Sequence, residues 1–177
     1  MNRYLNCLAL VALVALGLPA VAAAHVVLEQ QTAPAGSYYK GTFRVGHGCE
    51  GSPTTAITIR LPEPMASVKP MVKPGWTVAV RTEKLAQPLM HHGKPVGEGV
   101  VEVTWTGGPL ADAHYDEFAL MMKLPDAPGR RWFKVLQQCE RGANDWSQIP
   151  AEGQGTRDVK MPAALLDLLP AESRPHH

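Results

Sequence analysis

His25 stands directly after Ala22-Ala23-Ala24, and this adjacency has a chemical consequence. The alanines form the small-residue pattern that signal peptidase cuts after, Arg3 supplies a positive start, and residues 8–18 are an apolar run too short to span a bilayer. Cleavage after Ala24 makes His25 the first residue of the mature chain. A free α-amine has a pKa near ~8 and an imidazole near ~6.5, so both give up a proton to a metal readily. The amine nitrogen and Nδ1 of one histidine close a six-membered chelate ring on a single ion. Such nitrogen donors suit Cu(II), which heads the divalent affinity order and accepts square-planar N/O sites.

A brace of this kind fills two positions, so further ligands must come from elsewhere. The candidates are His47, Glu50, His91, His92, His114 and the methionines. Gly46-His47-Gly48-Cys49-Glu50-Gly51-Ser52-Pro53-Thr54 is the most unusual segment, rich in glycine and carrying a cysteine. In an exported protein Cys49 and Cys139 read as a disulfide closing a loop of about 90 residues, worth roughly 4–5 kcal/mol on a chain-entropy basis. A pinned, glycine-rich loop brings His47 or Glu50 close to a rigid N-terminus. The plainer reading is a tight turn with both side chains solvated. Trp146 lies in the polar loop 142–147 after Cys139, so the disulfide tethers it near the same segment, where an indole shields a metal from water.

Other histidines carry less. Met90-His91-His92-Gly93 resembles a copper-collecting tract, but adjacent side chains on an extended chain diverge, which leaves it an accessory role. His114, beside Asp112, Asp116 and Glu117, reads as a solvated strand edge, and His176-His177 as a solvated end. Met121-Met122 falls in a strand, so one sulfur faces the core.

Alternating and β-branched stretches supply the scaffold, at residues 37–45, 54–61, 76–82, 100–106, 115–124 and 131–139. Pro- and Gly-rich punctuation separates them at 51–53, 62–64, 73–76, 93–99, 107–109 and 125–129. Trp105 and Trp132 take core or sheet-face positions, and Trp76 caps the core. The expectation is an all-β fold, a single antiparallel β-sandwich. The chain then divides into a signal peptide (1–24), the sandwich (25–160) and a C-terminal piece (161–177) with a short helical segment over 161–169 and a frayed tail. Charge excludes one large class of function. With 17 Lys+Arg against 16 Asp+Glu and no basic stripe, binding to nucleic acid through phosphate contacts has no basis.

These features together resemble the YcnI-like family of exported copper-binding domains. The residues that carry the resemblance are Ala24-His25-Val26, the loop from His47 to Thr54, Lys73-Pro74-Gly75-Trp76, and Cys139 followed by Trp146-Ser147-Gln148-Ile149-Pro150. The resemblance implies a cupredoxin-like or immunoglobulin-like sandwich holding Cu(II) by a single-histidine brace. It further implies a loop glutamate as third ligand and a tryptophan beside the metal, which fall here on His25, Glu50 and Trp146. Members without the loop cysteine have the glutamate where Cys49 stands, so Glu50 is displaced by one position and His47 is the natural substitute. The expected role is copper trafficking in the periplasm or outside the cell, without enzymatic turnover, with a membrane or periplasmic copper-transport protein as partner. The alternatives are an oxidative copper enzyme resembling the lytic polysaccharide monooxygenases, for which His47, His91 or His114 would be the second histidine, and a structural sandwich that binds no metal.

Overall fold

Alternation of buried and exposed side chains organises the chain. The structure, a computed structural model, describes residues 25–171. In β3 (Tyr38–Val45) Tyr39, Gly41, Phe43 and Val45 are buried while Tyr38, Lys40 and Arg44 are exposed. The other strands are β1 (Val27–Leu28), β2 (Thr32–Pro34), β4 (Thr54–Met65), β5 (Val68–Pro70), β6 (Trp76–His91), β7 (Lys94–Leu110), β8 (Asp116–Lys123), β9 (Gly129–Cys139), β10 (Ala143–Trp146) and β11 (Ala164–Leu169). A 3₁₀ turn at Thr156–Asp158 is the one helical element among the described residues.

The strands form two sheets, ordered β1-β3-β8-β5 and β2-β11-β9-β4-β7-β6, with β10 added beside β9. Aromatic side chains lock the two faces together. Phe43 of β3 meets Phe133 of β9 edge-on at 5.5 Å, and Trp105 of β7 meets Phe118 of β8 at 5.5 Å. Ile57, Ile59, Leu120 and Leu166 fill the space between, all fully buried. Edge-to-face contacts of this kind add about 0.5–1.5 kcal/mol each to the area they bury. Met122 faces this core and Met121 faces solvent, as alternation requires.

The C-terminal expectation is overturned. Residues 164–169 are strand, not helix: β11 pairs antiparallel with β9 and parallel with β2. Leu165, Leu166, Leu168 and Leu169 carry a spacing that fits a helix, but a helix this short is marginal in water. Two sheet edges instead satisfy its backbone on both sides while Ala164, Leu166 and Leu168 turn inward. The sandwich therefore runs through Leu169, beyond the boundary expected at residue 160. The β11–β2 pair also makes the large sheet mixed, not purely antiparallel. The leader expected over 1–24 and the His176-His177 pair lie outside the described residues.

A second correction concerns residues 93–99, read from their Pro and Gly content as punctuation between strands. They lie in the outer half of a long hairpin, with β6 and β7 paired out to His91 and Lys94. Past Val100, where pairing with β4 ends, one edge of β7 is free, so Pro95 and the glycines remove no ladder bond on that side.

Candidate metal centre

The strand register sets the geometry of the site. β1 pairs antiparallel with β3, Val27 opposite Arg44 and Leu28 opposite Phe43. Continued by two residues, this register sets His25 opposite Gly46, beside His47. Val26 and Leu28 are buried, which fixes the direction in which the chain reaches His25.

The segment after β3 folds into a pinned turn. Cys49 and Ser52 exchange backbone hydrogen bonds of 3.0 and 2.9 Å, and the two residues between them, Glu50 and Gly51, have φ of 50° and 82°. Left-handed backbone at both positions is the signature of a two-residue hairpin turn. Gly48 is required here, since a Cβ on it would lie 2.0 Å from the Ser52 carbonyl oxygen. Its N–H donates to Asp112 Oδ1 at 2.8 Å, tying the turn to the segment before β8. The disulfide joins Cys49 to Cys139 at the end of β9.

Trp146 closes the site from the other side. Its ring, almost fully buried, lies 5.9 Å from that of His25 and 6.3 Å from that of His47. The His47 Nδ1–H donates to the carbonyl of Gly48, a contact that only this tautomer makes, and the Nε2 lone pair is left for an ion. Glu50 is exposed at the tip of the turn and forms no hydrogen bond or ion pair among the described residues. Of the four expected site residues, the rings of His25 and His47 both lie beside Trp146, and Glu50 is exposed on the adjoining turn.

Gln137, which sequence reading did not single out, holds this arrangement. It is 1% exposed, and its side-chain amide uses its full bonding capacity. Nε2 donates to the His47 carbonyl at 2.6 Å and to Thr54 Oγ1 at 2.8 Å. Oε1 accepts from Trp146 Nε1–H at 3.1 Å and from Asn144 Nδ2 at 3.2 Å. The amide has one possible orientation, because an indole N–H only donates and a carbonyl only accepts. One buried side chain thus fixes the His47 segment and the Trp146 strand to each other. The sequence signal was present: Gln137 continues the inward-facing series Phe133, Val135 on β9.

His25 also borders a surface groove shared with Arg157, Asp158, Val159 and Lys160. Asp158 is a carboxylate on the same groove, although its Oδ2 is engaged by the Gly155 N–H at 2.7 Å. Among the described residues no three His, Cys, Asp or Glu side chains converge in a metal-binding cluster.

Comparison with known proteins agrees with the architecture. The profile of a domain of unknown function, DUF1775, matches residues 25–168. The chain is similar to a solved structure from Nocardia farcinica, an uncharacterized protein with an immunoglobulin-like fold, at 28% identity and a TM-score of 0.63. That match covers 81% of this chain and 97% of the other. No curated protein matches the chain.

Proposed function

The chain belongs to the DUF1775 family, and we propose that this member is a YcnI-like, exported protein that holds Cu(II) at a processed N-terminal His25 and takes part in copper trafficking. The observation that carries this reading is the convergence of His25 and His47 on Trp146, with Gln137 setting the distance between the two segments. The α-amine and Nδ1 of His25 supply two nitrogens and His47 Nε2 a third, a set that fits the nitrogen preference of Cu(II). Glu50, exposed on its turn, is not needed in this set.

The roles divide clearly. His25 captures the ion, His47 completes the planar donors, and Trp146 limits access of water. The remaining position lets a membrane or periplasmic copper-transport partner exchange ligands. Affinity falls as pH drops, because the amine and the imidazoles must all be free of protons to bind.

Emission of Trp146 gives the test. Cu(II) added to protein beginning at His25 quenches it one-to-one, and Trp146→Phe removes that component without removing binding. One extra Ala before His25 destroys the chelate and weakens binding by about two orders of magnitude, roughly 2.7 kcal/mol. Equal quenching curves for the two proteins would refute the brace.

A further inference from the structure

At the far end of β3 the β6–β7 hairpin brings together two histidines that a straight strand would separate. β6 ends at His91 and β7 begins at Lys94, and the connecting residues His92 and Gly93 have φ of 50° and 73°. This tight turn swings the His92 side chain back, so the rings of His91 and His92 lie 4.2 Å apart between centroids. His92 also stacks on Tyr38, with its Nε2 3.1 Å from the Tyr38 hydroxyl. Met90 is 68% exposed and shares with His91 a groove of about 250 Å³ beside Met65.

We propose that this hairpin tip is a second metal site, selective for Cu(I), with His91, His92 and the Met90 thioether as ligands. Two neutral imidazoles and a soft sulfur suit the cuprous ion. Tyr38 orients the set. With Nε2–H of His92 donating to its hydroxyl, the Nδ1 lone pair is left for the ion, as second-shell partners of metal-bound histidines commonly arrange. A monovalent ion fits the surroundings, which carry little free negative charge. Of the two carboxylates on the groove, Glu63 is paired with Arg131 at 2.8 Å, while Asp126 stands near the Lys123 ammonium beside Gly36. Lys123 also lies over the Tyr38 ring at 5.8 Å, and Lys94 pairs with His91 across the hairpin.

The tip is independent of the His25 centre. Tyr38 starts β3 and His47 follows its end, so at roughly 3.4 Å per residue the two sites are on the order of 25 Å apart. They cannot share an ion.

Anaerobic competition against a chromophoric Cu(I) chelator, on protein beginning at His25, tests the proposal. The protein takes one equivalent of Cu(I). The double variant H91N/H92N, at one half-buried and one exposed position and checked for folding by its melting curve, loses that equivalent. Met90→Leu weakens binding about tenfold while leaving both imidazoles in place, and Tyr38→Phe weakens it about tenfold through the lost orienting bond. His25→Ala leaves Cu(I) uptake unchanged. Undiminished uptake by H91N/H92N or by Met90→Leu would overturn the assignment, as would loss of uptake in His25→Ala. Zn(II) displacing Cu(I) from the tip at equal concentration would overturn its selectivity.

Discussion

The two ends of β3 carry histidines in opposite ways. At one end His47 sits in a turn closed by a disulfide, a glycine that admits no side chain, and an amide bonded at every position. At the other, His91 and His92 ride on a hairpin whose outer half is mostly exposed and whose tip leans on Tyr38. The first end is fixed before any ion arrives. The second is gathered by a backbone turn and one tyrosine contact. A site built by burial tolerates few changes and keeps its geometry; a site built by a turn tolerates many and depends on the turn.

The largest expected effect lies at the fixed end. Opening the disulfide with C49A/C139A should cost roughly 4–5 kcal/mol on a chain-entropy basis, read as a drop in the melting temperature. The same change should leave Cu(I) uptake at the hairpin tip intact below the transition. A loss of both together would erase the distinction between the two ends.

Gln137→Leu should cost less, about 2–4 kcal/mol, because it leaves the Trp146 N–H and the His47 carbonyl unsatisfied in a buried place. The discriminating readout is the Cu(II) quenching of Trp146, which should weaken even where the protein remains folded. If quenching is untouched, Gln137 supports the fold and not the site.

The smallest effect belongs to the hairpin. Gly93→Ala places a Cβ in open space but at φ +73°, where a side chain costs about 1–2 kcal/mol. Global stability should fall by that amount or less, measured by chemical denaturation. Cu(I) affinity at the tip should fall with it, because the turn is what draws the two rings together.

Much of the fixed end was legible in the sequence, because covalent and steric signals are local. The leader-like start, with two cysteines after it, led to the expectation of the Cys49–Cys139 bridge, and the bridge in turn tied Trp146 to the 46–54 loop. Gln137 was hidden because its importance is tertiary: a glutamine on a strand looks polar until its inward position after Phe133 and Val135 is counted. The C-terminal strand was misread for a related reason. Leucine spacing in 164–169 fits a helix locally, and only the open edges of β9 and β2 favour the strand. The hairpin was masked by its prolines and glycines, which break a central strand but not one with a free edge. His91 and His92 were expected to diverge, and the two left-handed residues of the turn, His92 and Gly93, reversed that.

Electron paramagnetic resonance of the one-to-one Cu(II) complex of protein beginning at His25, beside a version with one extra N-terminal Ala, tests the central claim most directly. An axial signal with several nitrogen ligands, lost on adding the Ala and altered in His47→Ala, is the predicted result. A spectrum indifferent to the added residue would mean that His25 does not form the site.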